Sequence, residues 1–134
     1  MIFIIFNSII NKFLKMYIFN LLMGKTKYNV VGYGKRPNGA KNCGVFKDDK
    51  KAISYGIPSG HSQSAMACPS YILFNHMYDN VNVIILLYIL GACVMASRVY
   101  FNCHTVQQVL VGGLFGVLFA YIFTMYKEML IQYI

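Results

Sequence analysis

The sequence predicts an all-α fold: a transmembrane bundle of about four helices, with its polar residues gathered at one membrane face. Three observations predict it. Hydrophobic residues make up 57% of the 134-residue chain and charged residues 12%, well below the roughly 25% charge usual in soluble domains. Apolar stretches near the length that crosses a bilayer, about 20 residues, recur along the chain. The one long polar segment, residues 24–57, stands between the first of them and the rest. At this length the chain reads as one domain, residues 1–134, with no internal repeat.

The first apolar stretch, residues 1–23 ("MIFIIFNSIINKFLKMYIFNLLM"), is interrupted by Asn7, Asn11, Lys12 and Lys15. It spans a membrane if those groups face other helices or snorkel, and otherwise lies as a shallow interfacial helix. A signal peptide is disfavoured, because a basic start and a small-residue cleavage site are both missing. The loop at 24–57 is rich in Gly, Asn and Lys, with "GYGKRPNGAKNCG" in its middle. Connections longer than about 12 to 15 residues are usually functional or disordered. Gly32 and Gly34 lack the third glycine of a dinucleotide fingerprint and any parallel sheet to host one.

A second stretch, about 59–78, contains Pro69, which is expected to kink it. The third, about 81–100, is the cleanest. The fourth, about 105–126, carries Gly112, Gly113 and Gly116, whose GxxxG spacing permits close helix contact and offers a seam for homo-oligomers. Cys43, Cys68, Cys93 and Cys103 show no paired CxxC spacing and fall mostly in or beside apolar runs. They read as small buried hydrophobes rather than a disulfide framework or zinc site.

The net charge is +8, from twelve Lys/Arg against four Asp/Glu, and nine of the twelve lie at residues 25–51 or at Arg98. Such concentration suits an anionic partner. No nucleic-acid-binding module is recognisable and most of the chain belongs in lipid, so nucleic acid is excluded in favour of a phosphate-bearing lipid.

Three polar islands mark where that partner would bind: "KRP" at 35–37, "PSGH" at 58–61 and "SRVYFNCH" at 97–104. With a first helix ending near 23, the loop enters the second helix at 59, the third returns at Arg98 and the fourth leaves at His104. All three islands then share one side. Arg36 and Arg98 offer planar, permanently charged forks matched to phosphate oxygens. Ser59 and Gly60 stand at a helix start, where free N–H groups and the dipole favour an anion. His61 and His104 have unperturbed pKa values near neutrality, so one can attack phosphorus while the other protonates a leaving oxygen. A single histidine at a helix end is usually structural, and His76 in "FNHMYDN" is read so. The joint occurrence describes phosphoryl transfer without a metal or cofactor.

The islands carry a resemblance. "PSGH" followed by "SRVYFNCH", an Arg with five residues before a His, resembles the second and third signature motifs of the type 2 phosphatidate phosphatase superfamily, related to the vanadium haloperoxidases. "KRP" resembles the end of its first motif. The similarity covers residues 25 to about 116, and "HTVQQVLVGG" looks closest to the dolichyl-diphosphatase branch. The resemblance implies that His104 is a nucleophile forming a phosphohistidine and that His61 is the acid for the leaving group. Arg36, Arg98, Ser59 and the Gly60 backbone would hold the phosphoryl oxygens, with Ser97 close by.

Two positions depart from the family pattern. Its first motif carries a Lys seven residues before the Arg, where this chain has Asn29; Lys27 is favoured over Lys25 as the substitute. Its usual Asp four residues after the nucleophile is Gln108 here, as in the dolichyl branch. One helical turn from His104, the Gln carbonyl can accept the imidazole N–H and fix its tautomer. The family's membrane enzymes usually have six helices with the motifs on the last four. This chain supplies four, with the catalytic helices at 59–126, as a minimal, truncated or inactive version would.

The expectation is an integral membrane enzyme that hydrolyses a polyprenyl or dolichyl diphosphate, or another lipid phosphate. The alternative is an inactive protein that binds lipid headgroups. The resemblance puts the site on the luminal or extracellular side of the endoplasmic reticulum or another host membrane. The positive-inside tendency would send the Lys-rich loop to the cytoplasm. The luminal side is adopted, because a phosphate ligand accounts for part of that charge.

Overall fold

The computed structural model describes residues 2–23, 34–42, 48–51 and 55–132. Helix α1 (Ile2–Phe13) runs without a break through a π-helical stretch, Leu14–Phe19, into α2 (Asn20–Met23). Helices α3 (Gly60–Phe74), α4 (Val81–Tyr100) and α5 (Val106–Gln132) follow. Between α2 and α3, two short antiparallel strands, β1 (Lys41–Asn42) and β2 (Asp48–Lys51), pair Lys41 with Lys51 and Asn42 with Asp48. Among the described residues the fold is all-α apart from this ribbon, which propensity did not announce.

Ile2–Leu22, Val81–Tyr100 and Val106–Met129 are long and apolar enough to cross a membrane. The expected fourth span at 59–78 is corrected: α3 has 15 residues, about 22 Å of helix, against a hydrocarbon core of about 30 Å. Its start is set by Ser59, whose side chain accepts from Ser62 N at 3.4 Å, a typical N-cap. Its end is set by Asn75 and His76. The Asn75 amide donates to Tyr71 O at 2.9 Å, and His76 turns out of the helix at φ 48° with its N–H on Leu73 O. His76 lies at the far end of α3 from the other histidines.

α3 lies against α1, α4 and α5, which explains its polar character: Ser62, Gln63 and Ser70 are buried between helices. In hydrocarbon such groups must be satisfied within the protein. Asn7 Nδ2 donates to Ser64 Oγ (3.0 Å), Gln63 Nε2 donates to Asn7 Oδ1 (2.8 Å), and Asn11 Nδ2 donates to Gln63 Oε1 (2.7 Å). The asparagines that interrupt the first apolar stretch therefore face another helix. Below them, Phe3 stacks on Tyr71 and Phe119 at centroid distances of 4.3 and 5.2 Å, closing the end of the bundle away from the signature motifs.

Close approach sets the rest of the packing. Pro69 cannot give Ala65 O its helical N–H, and there Gly91 of α4 comes so near that a Cβ would stand 2.7 Å from that oxygen. At Gly116 of α5 a Cβ would run into the Gln63 carbonyl and lie 3.0 Å from Ala67 N. Gly112 meets Ser59 and Gly113 meets Met95 in the same way. The glycine seam is thus occupied inside the chain by α3 and α4. An apolar groove of about 730 Å³ runs along the outside between α1 and α5, from Ile2 to Leu14 and from Phe115 to Ile131.

Two readings of the cysteines need correction. Cys68 and Cys93 are exposed, because the surroundings of a membrane helix are themselves apolar and an apolar side chain need not point inward. Cys103 is fully buried and disulfide-bonded, a pairing that spacing along the chain does not reveal.

Candidate active site

The start of α3, the end of α4, the start of α5 and the loop around Arg36 meet at one end of the bundle. α4 closes at Tyr100, and the chain then folds back on itself: Cys103 N and His104 N both bond to Arg98 O, at 2.9 and 3.2 Å. Asn102 makes the reversal at φ 55°, a conformation that Asn tolerates better than most residues. This tight return, rather than a helical turn, brings His104 close to Arg98 across the five intervening residues.

His104 is 2% exposed. Its Nδ1 is 3.1 Å from Gln108 Oε1. The amide's orientation is set by its other end, since Gln108 Nε2 donates to Lys35 O at 2.6 Å. Thr105 N adds a second donor to Gln108 Oε1 at 3.3 Å. An acceptor thus faces the imidazole, so Nδ1 carries the proton and Nε2 keeps its lone pair. Burial, followed by the charge of Arg36, pushes the His104 pKa down to about 3, against a smaller upward pull from Gln108. The ring is neutral at neutral pH.

The loop is tied to the same place. Arg36 Nη1 donates to Cys103 O at 3.3 Å, Asn102 Nδ2 donates to Asn38 O at 3.2 Å, and Gly56 N bonds to Gly34 O at 2.8 Å. Burial lowers the Arg36 pKa, but a guanidinium stays charged at any physiological pH. On the other side, Ser59 N bonds to Gln108 O at 3.0 Å, locking the start of α3 to α5. Ser59 itself is buried, with Ser62 Oγ 3.0 Å from its Oγ. Gly60 is partly exposed and His61 opens to solvent.

The His61 pKa is lowered, first by desolvation on its protein side and then by the charges of Arg98, Arg36 and Lys15. Arg98 Nε donates to Ser97 Oγ at 3.2 Å. His104, His61, Gln108, Arg36, Arg98, Ser59, Gly60 and Ser97 are therefore brought together. Lys27 lies outside the described residues. Sequence reasoning missed Lys35, whose backbone carbonyl orients Gln108, and Lys15, whose charge reaches both histidines. A backbone role leaves no trace in residue type. The Lys15 signal, a charge within a largely apolar stretch, was shared with Lys12.

These features define a membrane-embedded helical protein with a cationic, histidine-bearing end. The chain belongs to the PAP2 superfamily, whose model matches residues 2–131. It is 32% identical over 109 residues to the dolichyldiphosphatase of Saccharomyces cerevisiae, covering 75% of this chain and 46% of that protein. It is also 32% identical over 94 residues to the lipid A 4'-phosphatase of Helicobacter pylori, covering 70% of this chain and 40% of that protein. The chain thus spans less than half the length of these two curated relatives. No solved structure matches it.

Proposed function

We propose that this protein is an integral membrane lipid phosphatase that hydrolyses a lipid diphosphate, of the polyprenyl or dolichyl type, or a lipid monophosphate. The observation that carries the reading is the pairing of a buried, neutral His104 with Gln108, beside two arginines and the start of α3. In the proposed reaction Nε2 of His104 attacks phosphorus and the bond to the leaving oxygen breaks. His61 gives that oxygen its proton. Water then attacks the phosphohistidine, His61 takes a proton from it, and phosphate leaves with His104 restored.

Desolvation and then the charges of Arg98, Arg36 and Lys15 lower the His61 pKa; the negative charge of a bound phosphate opposes those cations, so substrate itself favours the protonated acid. Arg36, Arg98, Ser59, the Gly60 N–H and Ser97 hold the phosphoryl oxygens in this scheme. No step calls for a metal. Names of the relatives support a lipid phosphate as substrate. A luminal or extracellular site accords with the Cys103 disulfide, because disulfides persist in oxidising compartments.

The test is phosphate release from a polyprenyl diphosphate and from phosphatidate by the purified protein in detergent, with EDTA present. Release from either supports the proposal. Phosphate binding without release from any lipid phosphate would instead make this a headgroup-binding protein.

A further inference from the structure

The first helix carries two lysines in an apolar setting, Lys12 and Lys15. The fold separates them: Lys12 is exposed, whereas Lys15 is partly buried. Asn11 shows what lies on the buried face. Its Nδ2 donates to Gln63 Oε1 at 2.7 Å and approaches Pro58 O at 3.5 Å, and a Cβ on Gly60 would meet its Oδ1 at 3.0 Å. This face of the helix therefore abuts the turn that runs from Pro58 to His61. Residues four apart share a helix face, so Lys15 follows Asn11 one turn nearer the end where Arg36 and the two histidines gather. The π-helical stretch opens at Leu14, and such widened turns recur at functional sites.

We propose that Lys15 is a phosphate-binding residue of this site, supplying the cation that the family's first motif places where this chain has Asn29. The proposal rests on the lipid phosphatase reading and adds a residue to it. The charge of Lys15 is among those acting on both His61 and His104. Arg36 approaches from the loop and Arg98 from α4, so a cation on the first helix gives the phosphoryl group a third charged wall. Leu14, the preceding residue, lines the apolar groove. Lys15 therefore stands where hydrocarbon gives way to charge, as suits a phosphate carried on a lipid.

Lys15→Met, Lys15→Arg, Lys12→Met, Lys27→Met and Arg36→Ala are compared in the purified full chain in detergent. The readouts are turnover of a lipid phosphate and competitive inhibition by inorganic phosphate. Lys15→Met is expected to raise KM and weaken phosphate inhibition by about 10- to 100-fold, the loss of one charge-assisted hydrogen bond. Lys15→Arg keeps most of both, and Lys12→Met changes neither. Independently of any variant, inorganic phosphate should shield Lys15 of the wild-type chain from an amine-acylating reagent, read by mass spectrometry. Absence of that shielding overturns the proposal, and so does a phosphate-binding loss in Lys27→Met without one in Lys15→Met. If wild type is active and Arg36→Ala is impaired while Lys15→Met is unchanged, Lys15 is excluded and the phosphatase reading stands. If wild type neither turns over lipid phosphate nor shows shielding, both fall.

Discussion

At the scale of single residues, Gln108 gives the site its order. A carboxylate in its place would stabilise an imidazolium more strongly. The neutral amide does something else: one end donates to Lys35 O and the other accepts from His104 and Thr105 N. One side chain thus fixes both the tautomer and the loop that delivers Arg36. Two predictions belong here. His104→Ala should abolish turnover and acid-labile phosphoenzyme with every substrate, whereas His61→Ala should regain part of its lost rate when the leaving group is a low-pKa phenol. Phosphohistidine trapped on His104→Ala would reverse the assignment.

The second concerns pH. His104 sits at about 3, so its protonation should not limit activity above about pH 4. In the proposed mechanism the free enzyme needs His61 protonated, and that pKa lies below its ordinary 6.5. Accordingly kcat/KM should fall as pH rises through the His61 value, and His61→Gln should flatten that limb. A limb unaffected by His61→Gln would remove His61 from the acid role.

Among the elements, α3 is the organiser. It is too short to span the bilayer unaided, its hydrophobic character is low, and its polar groups are spent on α1, on Tyr88 of α4 through Ser70 (2.8 Å), and on Thr124 of α5 through Asn75 (2.8 Å). The glycines of α5 let α3 close enough for Ser59 N to reach Gln108 O. Gly116→Ile should therefore force α5 off α3, at a cost of about 1–3 kcal/mol by overpacking. The thermal midpoint in detergent should drop and activity should fall with it, because Ser59 and Gln108 separate. Leu114→Ile, on the exposed face of the same helix, should change neither. Equal midpoints for the two variants would show that this contact does not hold the bundle together.

For the whole molecule, two features bear on which side of the membrane the histidine-bearing end faces. The Lys-rich loop argues for the cytoplasm by charge, while the Cys103 disulfide argues for an oxidising compartment. A phosphate-binding role for Arg36 and Lys15 removes part of the charge argument, since those cations have a ligand. A glycosylation acceptor engineered beside Asn42 should accordingly be modified in a eukaryotic membrane. Persistent absence of modification there, with a control acceptor at the other end glycosylated, would reverse the orientation.

Composition and local pattern determined what depends on neighbours in sequence. Long apolar runs must become helices in lipid because their backbone groups have no other partners, so the helices at 81–100 and 105–126 and the four-helix character were legible. Residue chemistry also marked His61, His104, Arg36 and Arg98, because few side chains handle phosphate and protons. Tertiary structure decided what depends on contact between distant segments. That α3 is enclosed rather than spanning follows from the amides of α1 reaching Gln63. The glycines of α5 serve packing within the chain because α3 lies across them. Lys15, not distinguished from Lys12 in sequence, faces the site because Asn11 docks its helix against Pro58 and Gly60, and helical position turns that contact into direction.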